Sequence, residues 1–178
     1  MIIVALTGLQ SAGRSIVASR MVAEHGFVTH RFEGPIRRML AAGLGLSDDV
    51  LDARDKNSAL AEYGGVTLRQ MKRTLGQEWG RRMIHSDVWV TAWTKSMPAA
   101  DRIVADDLGF SNEALAIHRL GGELWMVDRP SIAPTDHPAE LVMRELPVDR
   151  VIKNSSSIAA LIATVDEAAA AVIARQKP

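Results

Sequence analysis

MIIVALTGLQSAGRS, residues 1–15, decides the fold of this chain. Residues 2–6 are apolar and predict a buried β-strand. Residues 8–15 match the phosphate-binding pattern G-x-x-x-x-G-K-[ST], except that Arg14 stands at the lysine position. Gly8 and Gly13 permit backbone conformations that direct successive amides at phosphate oxygens, and the N-terminus of the helix expected after them favours an anion. The stretch predicts a nucleoside triphosphate site; the alternative is an ordinary glycine-containing turn.

The two residues that end this pattern bear on catalysis. Ser15 is expected to offer its hydroxyl to Mg²⁺. Arg14 leaves two hypotheses open. In one, its guanidinium contacts the β- and γ-phosphates of ATP, and the protein is an enzyme. In the other, its shape prevents it from following the transferred phosphoryl group, and the protein only binds nucleotide, because lysine and arginine are not interchangeable at such sites.

The composition of the 178-residue chain excludes several classes of protein. The absence of cysteine excludes disulfides and thiolate metal sites, and the five histidines show no close pairing that would indicate a zinc site. No apolar run approaches the roughly 18 residues of a membrane span, and the N-terminus reads as a strand rather than a signal peptide, so we expect a cytoplasmic protein with no membrane partner. The 21 basic and 21 acidic residues balance, which makes nucleic acid a disfavoured partner.

Short apolar runs alternate with amphipathic helices, which indicates an α/β layered fold with a mainly parallel sheet. The predicted strands are 2–6, 27–32, 103–105, 124–127 and 151–153. No convincing strand occurs between residues 34 and 98, and we interpret this stretch as a helical insertion. Residues 128–147 contain four prolines and are expected to leave the sheet edge. The clearest helix carries apolar residues at helical spacing from 158 to 173.

Polar residues mark the expected starts of the other helices. Thr67 and Gln70 fit a capping box, Ser86 can cap the helix that follows, and Ser111 or Asn112 can cap a helix after the third strand. The helix after Thr67 is expected to carry apolar residues on one face, at 68, 71, 75, 79 and 83. The tryptophans of this region are interpreted as core rather than as base-stacking residues. Trp79 is the exception, since it lies beside Gly80 and Arg81.

Asp106 and Asp107 follow the third predicted strand. Acidic residues at this place in phosphate-loop folds meet the metal through water, so Asp106 is a candidate metal residue. The alternative is a helix cap or a turn. Asp107 is a candidate for orienting the acceptor phosphate or for assisting Mg²⁺, and the sequence does not separate these roles.

A series of short motifs extends along nearly the whole chain. The motifs lie at 8–15, 32–37, 69–81, 87–90, 107–113, 120–122, 127–130, 136–140 and 146–149. The most specific is Leu-Gly-x-Glu-Trp-Gly-Arg at 75–81, because the phosphate loop alone is shared by many proteins. With these motifs the chain resembles the bacteriophage-type deoxynucleoside monophosphate kinases, a branch of the P-loop nucleoside monophosphate kinases.

The resemblance implies a fold and a reaction. The fold would be a single three-layer P-loop NTPase domain over residues 1–178, with a five-stranded parallel core sheet, a helical acceptor-binding insertion at about 34–98 and a lid at about 129–147. The reaction would transfer the γ-phosphoryl group of ATP to a deoxynucleoside 5′-monophosphate (dNMP) with Mg²⁺. For a phage-encoded protein the location would be the host cytoplasm.

The resemblance also implies roles for individual residues. The cradle for the donor phosphates would be Gly8, Gly13, Arg14 and Ser15. The acceptor nucleotide would be bound by Arg37, Arg69, Trp79, Arg81 and Asp87. The lid would contribute Arg129 and His137, and the region near the donor adenine would contain Asn154 and Ser155. Catalysis is assigned to Arg14 and Asp107, and the metal to Ser15 and Asp106.

Two positions depart from the family pattern, and both carry charge toward phosphates there. Arg14 replaces lysine, and Gly109 stands where the motif Asp-x-Arg-Phe has arginine. In one hypothesis the Arg14 guanidinium takes part of the space vacated at 109. In the other, both losses mark a decayed or repurposed kinase, since one lost cation can cost on the order of several kcal/mol of barrier.

Three functions follow in order of preference. The first is a deoxynucleoside monophosphate kinase that uses ATP. The second is a catalytically weakened nucleotide-binding protein with a regulatory or scaffolding role. The third is a kinase acting on modified bases in DNA, which zero net charge disfavours. The preferred base is not indicated, and a homodimer is left open.

Overall fold

The computed structural model describes residues 1–47, 50–51, 57–133 and 146–175. The chain forms two compact units. The sheet unit comprises Met1–Arg31 and Pro98–Pro178, and the helical unit comprises Phe32–Met97.

The elements are numbered in chain order. The sheet unit contains the strands β1 (Ile2–Thr7), β2 (Val28–Thr29), β5 (Arg102–Ala105), β6 (Glu123–Asp128) and β7 (Arg150–Lys153), and the helices α1 (Arg14–His25), α5 (Ser111–Arg119) and α6 (Ile158–Arg175). The helical unit contains α2 (Gly34–Leu44), β3 (Ala59–Leu60), a 3₁₀-helix (Ala61–Tyr63), β4 (Val66–Thr67), α3 (Leu68–Arg73), a π-helix (Thr74–Ile84) and α4 (Val88–Lys95).

The five strands of the sheet unit form one parallel sheet in the order β2-β5-β1-β6-β7. All six residues of the central strand β1 are buried, because helices cover both faces of a parallel sheet. The predicted α/β fold with a five-stranded parallel sheet is confirmed. The carboxyl ends of the strands meet at one edge, which places the phosphate loop after β1 beside the residues that follow β5, β6 and β7.

The helices α1 and α6 pack together on the sheet. Val17 and Met21 of α1 share a buried cluster with Leu161 and Val165 of α6. At the surface of this helix pair, Arg20 donates two hydrogen bonds of 2.8 Å to the carboxylate of Asp166. His25 lies 2.8 Å from the same carboxylate. Because α1 begins at the phosphate loop, these contacts fix the helix that follows the loop to α6.

The helical unit differs from the prediction in two ways. It contains the antiparallel pair β3–β4, where no strand was predicted. Each strand has only two residues, which is too short to give an alternating pattern in sequence. The predicted continuous α-helix after Thr67 is α3 followed by the 11-residue π-helix. The Thr67 cap is confirmed, since its hydroxyl accepts from the Gln70 amide at 3.1 Å.

Smaller differences concern strand and helix ends. The second strand is Val28–Thr29 rather than 27–32, because only these two residues pair in register with β5. The capping residue of α4 is Asp87, not Ser86, and that of α5 is Phe110, not Ser111 or Asn112. The start of α5 is held instead by Glu113, whose carboxylate accepts from the amides of Gly109 and Phe110. Among the helices of the described ranges, none has both the length and the hydropathy that crossing a membrane requires.

Candidate nucleotide-binding site

The phosphate loop has a backbone that only glycine can adopt at two positions. Gly8 has φ +138°, and a Cβ there would overlap the carbonyl oxygen of Val127. Gly13 has φ +110°, and a Cβ there would lie 2.8 Å from Nδ2 of Asn154. Left-handed or still more unusual φ values cost other residues of order 1–3 kcal/mol. Both glycines of the motif are therefore required by the backbone itself.

Two hydrogen bonds within the sheet unit brace the backbone of this loop. Ala12 N donates to Leu9 O at 3.1 Å, and Nδ2 of Asn154 donates to Ala12 O at 2.8 Å. Gly13 caps α1 without any side-chain hydrogen bond. The first amides of a helix have no partner inside it, so this uncapped N-terminus can accept an anion. The loop can therefore accept a phosphate group, and the exposed Ser15 is the second residue of the same helix.

Arg14 is the first residue of α1 and lies close to acidic side chains. Burial lowers the pKa of its guanidinium, and the negative charges of Asp107 and Asp106 partly offset that effect. Arginine keeps its proton in proteins, so Arg14 supplies a fixed positive charge at the loop. Arg14 therefore lies within electrostatic range of both Asp106 and Asp107.

Asp106 has a partner that the sequence did not predict. Its carboxylate accepts from Nε of Arg31 at 2.7 Å and from Nη2 at 2.9 Å. The Asp106 side chain is only 5% exposed, whereas that of Arg31 is 42% exposed. Both carboxylate oxygens thus accept a hydrogen bond from Arg31, and the predicted contact of Asp106 with a metal through water stays a prediction.

The residues assigned to the lid and to the donor base have different surroundings. Arg129 is exposed, and its Nη1 donates to Ser11 O of the phosphate loop at 3.3 Å. Asn154 binds the loop backbone through its side chain, and Ser155 next to it is exposed. His137 lies outside the described residues.

The residues predicted to bind the acceptor all lie in the helical unit. Nη1 of Arg37 donates to Leu51 O at 3.1 Å, and Nη1 of Arg81 donates to Ser86 O at 3.0 Å. The other three are Arg69, which is exposed, Trp79, which is 38% exposed, and Asp87, the capping residue of α4. Trp89 and Trp93 are buried, as predicted for core tryptophans.

The π-helix that carries Trp79 and Arg81 is packed against Trp89. The indole Nε1 of Trp89 donates to Gly76 O at 2.6 Å. Gly80 lies so close to the indole that a Cβ would be 2.5 Å from Cε2 and 2.6 Å from Cζ2. Glycine at 80 thus lets the indole reach the backbone of the π-helix, whereas a Cβ at Gly76 would meet Ile36 Cδ1 at 3.0 Å.

A largely apolar cavity of about 560 Å³ also lies within the helical unit. Its lining includes Met39, Met71 and Trp79, with Gln70 and Thr74 as polar members. Mostly apolar walls with a few polar groups are typical of sites for small organic ligands.

Sequence reasoning missed the roles of Arg31, Asn154 as a brace of the loop, and Glu113. The contacts of Arg31 and Asn154 join residues that lie far apart in sequence. The contact of Glu113 replaces the Ser or Asn cap that sequence patterns favour. Within the described ranges, no group of three or more His, Cys, Asp or Glu side chains could hold a metal ion. Mg²⁺ is commonly bound by one or two carboxylates plus substrate phosphates, and in phosphate loops a Ser or Thr hydroxyl also contacts it, so Ser15 with a nucleotide is compatible with that ion.

Comparisons with known proteins support the α/β fold and a relationship to a protein with a nucleotide kinase name. No family model matches the chain. A protein of Acanthamoeba polyphaga mimivirus named "Putative deoxynucleotide monophosphate kinase" is 28% identical over 190 residues, which cover 94% of this chain and 98% of that protein. The crystal structure of TT1252 from Thermus thermophilus is similar with a TM-score of 0.54 and 16% identity, covering 99% of this chain and 98% of that one. The chain therefore has a P-loop NTPase-like α/β fold, and a distant homologue of it carries a nucleotide kinase name.

Proposed function

We propose that this protein transfers the γ-phosphoryl group of ATP to a deoxynucleoside 5′-monophosphate, yielding ADP and the deoxynucleoside diphosphate. The observation that carries the proposal is the phosphate loop, whose two glycines and uncapped helix fit a polyphosphate. The name of the distant homologue supports the choice of acceptor.

The residues of the sheet unit would act on the donor. The loop amides and the start of α1 would hold the β- and γ-phosphates, and the Arg14 guanidinium would stabilise charge that develops on the transferred group. Ser15 would offer its hydroxyl to Mg²⁺, which would supply positive charge beside the phosphates. Asp107 would orient the acceptor phosphate or assist the metal. Arg129 and His137 would contact the donor from the lid, and Ser155 would lie near the adenine.

The residues of the helical unit would act on the acceptor. Arg37, Arg69 and Arg81 would bind its phosphate, since guanidinium groups form paired hydrogen bonds with such oxygens. The partly exposed Trp79 would contact the base, and Asp87 would accept a hydrogen bond from the nucleoside.

Activity assays on purified protein test this proposal. Wild type is mixed with ATP, Mg²⁺ and each of the four dNMPs, and both ADP and the diphosphate product are quantified. We expect turnover with at least one dNMP, and we expect Arg14→Ala to lower kcat by on the order of 10³-fold, as for other cations at phosphoryl transfer. Exposed Arg119→Ala removes the same charge away from the loop and is the control.

A second candidate is a nucleotide-binding protein with little catalysis, which the replacement of lysine by Arg14 favours. An inert wild type that binds ADP, together with an active Arg14→Lys variant, would support this candidate and refute the kinase.

A further inference from the structure

The ion pair of Arg31 with Asp106 is built by the register of the sheet. Strands β2 and β5 are parallel neighbours, with Thr29 opposite Val104. Counting two residues onward along both strands brings Arg31 beside Asp106 at the carboxyl edge. The pair has two hydrogen bonds, of 2.7 and 2.9 Å, and buries the carboxylate more deeply than the guanidinium.

The same carboxylate lies within electrostatic reach of the phosphate loop. Asp107 and Asp106 are the two negative charges that act on Arg14. A buried carboxylate without a partner is strongly unfavourable and is stabilised by any cation it can reach. It also repels a nearby phosphate, and such repulsion is stronger where water is partly excluded. Without Arg31, Asp106 would therefore compete with a nucleotide for Arg14.

We propose that Arg31 is a positioning residue of the phosphate site, which engages both oxygens of Asp106 and so leaves the Arg14 guanidinium available to a nucleotide phosphate. This inference rests on the proposed function, because it assumes that the loop binds a polyphosphate. It assigns Arg31 an indirect role: it acts on the nucleotide through Asp106 and Arg14.

Binding of ADP in the presence of EDTA tests this role without metal or turnover. The dissociation constant is measured by titration calorimetry for wild type, Arg31→Ala, Asp106→Asn, the double variant Arg31→Ala/Asp106→Asn and the control Arg119→Ala. We expect Arg31→Ala to weaken ADP binding at least about tenfold, which corresponds to 1.4 kcal/mol. We expect the double variant to bind within about threefold of wild type, because no unpaired carboxylate remains.

Each other outcome overturns the inference. If Arg31→Ala binds ADP as tightly as wild type, the pair has no part in the site. If the folded double variant binds as weakly as Arg31→Ala, then Arg31 contacts the phosphate itself. Should Arg31→Ala fail to fold, weak ADP binding by the folded double variant would still overturn the inference, because the inference requires near-normal binding there. Failure of wild type to bind ADP at all would instead refute the proposed function.

Discussion

Substitution of Gly80 by alanine tests the packing of the π-helix on which two predicted acceptor residues lie. A Cβ at residue 80 would stand 2.5 Å from Cε2 and 2.6 Å from Cζ2 of the buried Trp89 indole. Real Cβ atoms do not approach so closely, so either the π-helix or the indole must move. Movement of the indole would also disturb its 2.6 Å hydrogen bond to Gly76 O.

Three contributions set the expected change in the free energy of unfolding, one of them stabilising and two destabilising. Alanine gains up to about 1 kcal/mol over glycine in a helix. Overpacking costs about 1–3 kcal/mol, and loss of the indole hydrogen bond costs a further 0.5–1.5 kcal/mol or so. We therefore expect Gly80→Ala to lower the free energy of unfolding by about 0.5–3.5 kcal/mol, with a fall in Tm of roughly 2–4 °C per kcal/mol for a chain of this size.

Helix α2 provides a matched control in the same unit. Gly43 is helical, and a Cβ there would meet nothing within 4 Å. We expect Gly43→Ala to raise stability by about 0.5–1 kcal/mol. Urea unfolding followed by tryptophan fluorescence measures both variants. A Gly80→Ala protein as stable as wild type, or equal losses in the two variants, would refute the packing described for the π-helix.

Two further predictions concern the sheet unit. Asn154→Ala removes the hydrogen bond to Ala12 O, and we expect it to lower the affinity for ADP about tenfold, as measured by calorimetry. The control, exposed Ser156→Ala, is expected to leave the affinity unchanged. Equal affinities of the two variants would show that the Asn154 hydrogen bond is dispensable. Hydrogen bonds from Arg20 and then His25 lower the pKa of Asp166, so its contribution to stability is present above the ordinary aspartate pKa of about 3.9 and is lost as the pH falls toward the folded-state value. We therefore expect the Tm difference between wild type and Asp166→Asn to be largest near pH 7 and to shrink below about pH 4, and a constant difference would contradict this account.

The parts of the fold that local sequence determines were predictable. The apolar run predicts strand β1, and the motif with its two glycines predicts the loop and the start of α1. All of these residues lie within positions 1–15. The remaining parallel strands are short apolar runs that alternate with helices. Such features need no knowledge of the tertiary contacts.

The features that were missed depend on contacts between distant residues or, at the start of α5, on a local contact that replaces the usual cap. Arg31 and Asp106 are 75 positions apart, and nothing near Arg31 in sequence distinguishes it from other basic residues. The π-helix has the apolar spacing of an α-helix, and its difference lies in the packing of Gly76 and Gly80 against Trp89. The start of α5 was assigned to Ser111 or Asn112 because such residues commonly cap helices, whereas Glu113 holds it from inside the helix.

The hydrogen bond between Asn154 and Ala12 joins residues 142 positions apart, which has a consequence for protein synthesis. A nascent chain on the ribosome contains the complete loop sequence well before Asn154 has been translated. Strand β6, which is the neighbour of β1 and supplies the Val127 carbonyl beside Gly8, is also translated late. Under the proposed function, a nucleotide is therefore expected to stabilise chains that extend beyond residue 154 more strongly than shorter ones, and chains arrested earlier would gain less protection from proteases.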